Sequence, residues 1–295
     1  MAKCELIAEN TGCIYLRGNA IPFYRNTDTK WILMDSGTKR DKDELQEVLD
    51  RYGVKVSAVL TSHMHYDHVG NHRMLRSVYG AKRVMSAFDA GVSQSASALQ
   101  ACFYSSTTIE IEENLSEMIG NSERIITQYQ RRIMVEGIPF RILNMPGHAA
   151  SHLGFETPDG VIYLGDSLVG KDEIDRNLLI YMLDWKTSLK TLREIRSFKS
   201  PCVLSHGGVV ENIAKETDDF YNNFWDKIGY IKSLIDEKST LTDIVEKVIE
   251  NCGIPIHTLG KARVVERMIR SYVNYLDETG QVQTDIENGI VIYNR

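Results

Sequence analysis

The densest cluster of residues able to bind metal comes directly after a predicted strand, residues 54–60, and holds three histidines and one aspartate. Side chains at positions i and i+2 of an extended backbone point the same way, so His63 and His65 can share one metal ion. Asp67 and His68 lie where the chain turns into the next predicted helix, and they can face a second ion. We therefore interpret this segment as a metal-binding loop, and not as a solvated histidine-rich turn.

Three further candidate ligands follow other predicted strands. His148 comes shortly after a predicted strand that ends at Asn144. Asp166 and His206 each follow a short run of β-type residues in the same way. Because strands of one sheet can deliver the residues that follow them to a common edge, we expect these side chains to meet.

In chain order these residues form the pattern H-x-H-x-D-H followed by H, D and H. The pattern closely resembles that of the metallo-β-lactamase superfamily, and the resemblance covers roughly residues 4–215. Single elements of the pattern are weak evidence, whereas all of them in order are strong. The resemblance implies an α/β fold, the αββα sandwich, in which two packed sheets lie between layers of helices.

The resemblance also implies which residues bind two divalent metal ions. The first ion would be bound by His63, His65 and His148. The second would be bound by Asp67, His68 and His206, and Asp166 would bridge the two ions. Imidazole and carboxylate ligands suit zinc, which we expect here, and also iron and manganese.

The chemistry implied by such a site is hydrolysis. Two cations acidify a bridging water to hydroxide near neutral pH and polarise the bond under attack. Asp67, beside that hydroxide, would orient it and is one candidate catalytic residue. Asp35 is the second, because it resembles the family's carboxylate that holds a ligand histidine. The alternative interpretation of Asp35 is a simple turn residue. His152 resembles a position that supports the site or lines its pocket in some relatives.

Departures from the family pattern narrow the function. Asp166 stands where true β-lactamases of this fold have Cys or Ser, so antibiotic hydrolysis is not expected. His65 stands where diiron flavoproteins have Glu, and no flavodoxin-like tail is recognisable. The basic residues with which glyoxalase II holds glutathione cannot be placed. Persulfide dioxygenases resemble this ligand pattern but use one iron, so that alternative stays open.

Composition sets limits on partners and location. The 295 residues carry a formal net charge of −6, which argues against a polyanion as the main partner. No secretory signal and no apolar run of membrane-spanning length are visible, so we expect no membrane association. The five cysteines are scattered and form no C-x-x-C pair, which favours reduced thiols and a cytoplasmic location. Oligomeric state is left open.

Two regions depart from the sandwich pattern. Residues 91–120 have no clear period and carry Phe103 and Tyr104, so they are a candidate lid in a catalytic domain of residues 1–219. From residue 220 to 295 the pattern is helix, helix, hairpin, with an Asn-Gly turn at 288–289, which predicts a small, mostly helical, winged-helix-like module. Specificity is expected in these two regions.

A polar stripe on the second C-terminal helix leaves a further alternative open. Arg263, Arg267 and Arg270 recur on one face, and lactamase-like endoribonucleases resemble this two-part layout. Nucleic acid is thus a possible partner, but we favour a face that packs over the edge of the active site. The sequence predicts a binuclear metal-dependent hydrolase acting on an ester, thioester or phosphodiester of a small molecule. An endoribonuclease and a mono-iron dioxygenase are the alternatives.

Overall fold

The computed structural model describes residues 2–103 and 106–295, and two β-sheets form its centre. The strands of the first sheet lie side by side in chain order: β1 (Lys3–Leu6), β2 (Thr11–Tyr15), β3 (Ala20–Thr27), β4 (Lys30–Met34), β5 (Lys55–Leu60), β6 (Lys82–Ser86) and β7 (Arg124–Ile126). Neighbours are antiparallel from β1 to β4 and parallel from β4 to β7.

The second sheet has the reverse order, from β13 at one edge to β8 at the other. Its strands are β8 (Arg132–Val135), β9 (Ile138–Asn144), β10 (Leu153–Glu156), β11 (Ile162–Gly165), β12 (Cys202–Leu204) and β13 (Gly208–Val210). The β11–β12 pair is parallel, and the other pairs are antiparallel.

Alternation of side chains along the strands explains why the sheets pack face to face. In β4, Ile32 and Met34 point into the core between the sheets, while Trp31 and Leu33 point to the outer face. In β11, Tyr163 lies in the same inner core. Because both faces of these strands are apolar, both must be covered, which calls for a layer on each side.

Helices provide the outer layers. The helices up to the end of the insertion are α1 (Lys42–Arg51), α2 (Tyr66–Val69), α3 (His72–Tyr79), α4 (Ala87–Val92), α5 (Ala96–Phe103) and α6 (Thr108–Asn114). The later helices of the sandwich are α7 (Lys171–Arg176), α8 (Trp185–Ile195) and α9 (Ile213–Ser233). Helix α1 packs on the first sheet through Leu45 and Leu49, and α8 and α9 cover the second. The αββα sandwich expected from the sequence is confirmed.

The insertion at residues 91–120 is helical and packed. It contains α5, α6 and a short 3-10 turn, and its buried side chains, among them Leu99 and Ile111, contact Met64 of the metal-binding loop. Phe103 is half-buried, whereas Tyr104 lies outside the described residues. The role of the insertion as a lid stays a prediction.

The helical C-terminal extension is also confirmed. After α9 it contains β14 (Ser239–Thr240), α10 (Leu241–Cys252), α11 (Leu259–Glu278), β15 (Gln283–Glu287) and β16 (Ile290–Asn294). Asn288 and Gly289 both have positive φ, as the tight hairpin turn between the last two strands requires. Because α9 runs through residue 220 and shares one apolar cluster with α11, the predicted boundary at residues 219/220 stays a prediction. Among the described residues, the helices are too short or too polar to cross a membrane.

Gly70 brings two segments of the site together. The loop after β4 lies so close to it that a Cβ atom would stand 2.4 Å from the backbone nitrogen of Lys39 and 2.5 Å from the carbonyl carbon of Thr38. The same contact is tied by hydrogen bonds, since Ser36 N–H donates to the His68 carbonyl at 2.8 Å. The segment that carries His68 is therefore pressed against the loop that begins at Asp35.

We expect Gly70→Ala to lower the free energy of unfolding by about 1–3 kcal/mol, because backbone atoms cannot move aside as a flexible side chain can. Gly229→Ala is the matched control, since a Cβ there meets nothing within 4 Å and Gly229 lies inside α9. The control should be neutral or gain up to about 1 kcal/mol. Urea unfolding of both variants measures this, and equal stability of the two would contradict the close approach.

Candidate metal centre

Five candidate ligands lie in connections that follow strands of the sandwich, and the other two belong to a short helix. His63 and His65 follow β5, and His148 lies in the connection between β9 and β10. Asp166 and His206 follow β11 and β12, whose parallel pairing brings their carboxyl ends to the same edge. Asp67 and His68 belong to the short helix α2. The structure thus brings all seven predicted ligands to one edge of the sandwich.

Three imidazoles form the first ligand group. His65 Nδ1 lies 2.9 Å from His63 Nε2 and 2.9 Å from His148 Nε2. Nitrogens bound to one zinc ion at about 2.0–2.1 Å in a tetrahedral site lie about 3.3 Å apart, so this spacing is close to that of a coordination sphere.

Two carboxylates and two imidazoles form the second group. His206 Nε2 lies 3.4 Å from Asp67 Oδ2 and 3.5 Å from Asp166 Oδ2, and His68 Nε2 lies 3.3 Å from Asp166 Oδ2. The same oxygen of Asp166 is 3.4 Å from His148 Nε2 of the first group. One carboxylate oxygen therefore contacts ligand atoms of both groups.

The donor set fits two metal ions. The atoms within each group lie within 4.8 Å of one another, and they are the nitrogen and oxygen types that zinc, iron and manganese accept. His68 Nε2 is buried and makes no aligned hydrogen bond among the described residues, although Asp166 lies close by. A bound cation would satisfy this atom.

Asp35 holds His68 from behind. Its Oδ2 accepts hydrogen bonds from His68 Nδ1 at 2.8 Å, from the Tyr163 hydroxyl at 2.7 Å and from the Ser62 hydroxyl at 2.5 Å. Its Oδ1 accepts the Ser62 backbone N–H at 2.7 Å. These bonds leave His68 Nε2 directed at the second group. Asp35 is buried away from the cleft, so it is a positioning residue that acts through His68.

Backbone carbonyls orient two more ligands. The Nδ1 of His148 lies 3.1 Å from the Tyr181 carbonyl oxygen, and the Nδ1 of His206 lies 2.8 Å from the Gly18 carbonyl oxygen. Because a carbonyl only accepts, each Nδ1 carries a proton, and each Nε2 is left facing the site.

Asp166 is held by Ser205 and His152. The Ser205 hydroxyl donates to its Oδ1, and its backbone N–H donates to His152 Nε2 at 3.1 Å. The His152 ring also stacks on His63, with ring centroids 4.8 Å apart. Gly165 has φ 52°, and a Cβ there would stand 2.7 Å from the His152 ring, so glycine is required. His152 thus supports both ligand groups.

The buried carboxylates of the site need a balancing positive charge. Burial alone would raise the pKa of Asp67, but His68 and His206 lower it to about 2. Burial alone would lower the pKa of His206, but Asp166 and Asp67 raise it to about 12. Burial lowers the pKa of all three histidines of the first group, that of His65 to about 3, so this group consists of neutral imidazoles. The carboxylates are therefore charged and balanced by protons on histidines, which metal ions would displace.

A cleft opens beside the first group. Its volume is about 310 Å³, and His65 and His148 form part of its wall. The other lining residues are mainly apolar or aromatic, among them Phe88, Phe103, Tyr181 and Leu183, and Arg267 of α11 completes the wall. A small molecule in this cleft would lie against the metal ligands.

The family follows from a match to the sequence model of the metallo-β-lactamase superfamily over residues 19–207, which includes all seven ligands. The chain belongs to the metallo-β-lactamase superfamily. The resemblance to this superfamily inferred from the ligand pattern is thereby confirmed.

Individual relatives are distant. The Beta-lactamase-like protein 2 homolog of Drosophila melanogaster is 23% identical over 227 residues, 74% of this chain and 68% of that protein. The hydroxyacylglutathione hydrolase of Chromohalobacter salexigens is 24% identical over 146 residues, 49% of this chain and 45% of that enzyme. A metallo-β-lactamase family protein from Thermus thermophilus superposes with TM-score 0.71 at 18% identity, covering 100% of this chain and 98% of that one. At that identity the superposition shows the fold alone.

Several residues that support the ligands were not predicted from the sequence. Ser62 and Ser205 each precede a ligand histidine in the chain, which was the available signal, and each donates to an aspartate of the site. Tyr163 points inward from β11, and its partner Asp35 is 128 positions away in the sequence. The two carbonyl acceptors give no signal in residue type.

We expect Asp35→Asn to weaken metal binding about 10- to 100-fold, because an amide cannot accept all the hydrogen bonds that hold His68. Competition with a chromophoric chelator measures this. Asp159→Asn is the matched control, since Asp159 accepts hydrogen bonds from Asn10 N–H and the Thr11 hydroxyl rather than from a ligand. Unchanged metal affinity in the Asp35 variant would show that His68 is positioned by other contacts.

Proposed function

We propose that this chain is a hydrolase that binds two divalent metal ions, zinc in the first place, and cleaves an ester, thioester or phosphodiester bond in a small molecule. The observation that carries this proposal is the position of Asp166, whose Oδ2 lies 3.3–3.5 Å from ligand nitrogens of both groups. In this proposal His63, His65 and His148 bind one ion. Asp67, His68 and His206 bind the other, and Asp166 bridges them.

When bound, such a pair of ions supplies an acidified water and Lewis-acid stabilisation of the charge that develops in hydrolysis. In this proposal Asp67 orients the attacking water and accepts its proton. Its carboxylate is less buried than that of Asp166, and it lies between His68 and His206 at the open side of the site. The other ligands are held by the hydrogen bonds of Asp35, Ser205 and the backbone.

The size and lining of the cleft support a small substrate. A volume of about 310 Å³ is at the lower end of the range for small-molecule sites. Phe88, Phe103 and Leu183 offer apolar contact to an acyl or similar group. The hydroxyacylglutathione hydrolases among the distant relatives support hydrolysis, while their limited coverage carries no substrate over to this chain.

Two alternative functions, an endoribonuclease and a mono-iron dioxygenase, can be separated from the hydrolase by experiment. Nucleic acid stays possible but is not favoured, because Arg263 and Arg267 face the insertion, where they bind Glu110 and the Phe103 carbonyl. A mono-iron dioxygenase would use the same ligands, and metal counting separates it from the hydrolase.

All five cysteines are free thiols, which supports the proposed cytoplasmic location.

We expect two equivalents of metal per chain in the protein loaded with zinc or manganese, and Asp166→Ala should lose metal and turnover together, because the bridging oxygen is removed. Inductively coupled plasma mass spectrometry counts the ions. Asp172→Ala is the control, since Asp172 is an exposed residue of α7. A variant at position 166 with full metal and near-normal activity would reject the bridge, and one iron per chain with oxygen uptake would favour the dioxygenase.

We expect Asp67→Asn to lower kcat about 100-fold or more, because a nucleophile-positioning and proton-accepting group is lost. KM should change less. Steady-state kinetics on a chromogenic ester and a chromogenic phosphodiester, at matched metal content, separate the two parameters. If KM alone rises, Asp67 binds substrate instead of directing the water.

A further inference from the structure

The C-terminal extension builds part of the wall of the cleft. Arg267 of α11 is half-buried and lines the same cavity as His65 and His148. Its Nη1 donates a hydrogen bond to the Phe103 carbonyl at 2.7 Å. The C-terminal extension therefore places a permanent positive charge inside the proposed active site.

Arg267 and His65 share the same two aromatic neighbours. The Phe103 ring lies 5.6 Å from the Arg267 guanidinium carbon and 5.6 Å from the His65 ring centre. The Tyr181 ring lies 5.7 Å and 5.8 Å from the same two points. The guanidinium therefore lies no more than twice 5.6 Å, about 11 Å, from the imidazole of a proposed metal ligand.

The guanidinium is held in this position by the contacts of α11. Arg263, one turn earlier, donates to Glu110 of the insertion at 2.7 Å. Tyr272, further along, donates its hydroxyl to the Ile180 carbonyl at 3.1 Å. These contacts anchor α11 on both sides of Arg267, and they hold the guanidinium at the wall of the cleft.

Resting on the proposed function, we propose that Arg267 is an anion subsite and that the substrate is an ester or thioester that also bears a carboxylate, which Arg267 binds no more than about 11 Å from the His65 imidazole. A guanidinium has a planar fork of donors that matches a carboxylate, and charge-assisted hydrogen bonds gain strength beside apolar walls. Phe88 and Leu183 provide such walls for the chain between the two ends. A cavity of about 310 Å³ favours a short acyl chain over a nucleotide.

The other C-terminal arginine of the stripe supplies a control. Arg270 lies three residues further along the same helix, is exposed and pairs with Glu266. Replacing Arg270 removes the same charge from the same helix without reaching the cleft. A general effect of charge on the C-terminal extension can thus be separated from recognition by Arg267.

The test compares adipate, with two carboxylates, and hexanoate, with one, by isothermal titration calorimetry on the zinc-loaded protein. In the unmodified chain adipate should bind about 10- to 100-fold more tightly than hexanoate, because its second carboxylate reaches Arg267. Arg267→Met should abolish that preference, Arg267→Lys should retain part of it, and Arg270→Met should keep all of it. Hexanoate affinity and zinc content of each variant report whether the cleft is intact.

Several results would overturn the subsite. One is equal binding of adipate and hexanoate to the unmodified chain. Another is an equal loss in the Arg267 and Arg270 variants, or a parallel loss of both ligands in Arg267→Met, which would make Arg267 a structural strap. The proposed function fails separately, if the zinc-loaded chain cleaves neither 4-nitrophenyl adipate nor its neutral 6-methylheptanoate analogue nor a phosphodiester. In that case a retained adipate preference would still support the subsite.

Discussion

Two carboxylates, Asp67 and Asp166, lie together at the buried edge of the sandwich, and the site depends on the positive charge that they require. A charge buried in a protein is costly unless it is paired, so the Asp166 carboxylate requires a positive charge beside it. Without metal, protons on His68 and His206 meet the need, as the raised pKa of both histidines shows. With metal, the imidazoles become ligands. The same arrangement thus accounts for a site whose groups are positioned to bind metal ions and for histidine as the neighbour of both carboxylates.

Asp35 turns this local demand into a property of the whole fold. It lies at the end of β4 in the first sheet with φ 63°, and it accepts a hydrogen bond from Tyr163 of the second sheet. Its remaining bonds go to Ser62 and His68. The two sheets and the metal-binding loop are therefore joined at one carboxylate. A change in the packing of the sheets would move His68, which links the core to the site.

The sequence predicted the parts of this molecule in which residue type and spacing carry the information. The shared direction of His63 and His65 follows from their spacing on an extended backbone, and the order of ligands resembled one family strongly enough to predict the sandwich. The supporting role of Tyr163 could not be predicted, because it acts through a contact made only after the sheets pack. The boundary of the C-terminal extension was harder to predict for another reason, which lies in helix α9. It runs without a break from the sandwich into the C-terminal extension, and no shift in composition marks its passage.

One contact has a consequence for how the protein is made. Tyr272 of α11 exchanges hydrogen bonds with the backbone of Ile180, and the neighbouring carbonyl, that of Tyr181, orients His148. His148 is synthesised long before Tyr272, so a chain emerging from the ribosome would present this ligand before the residue that supports it had been made. Domains generally fold as units during synthesis, amino-terminal parts first. Here the metal centre would reach its final geometry only after α11 had emerged, which would delay capture of metal until this part of the C-terminal extension had been made.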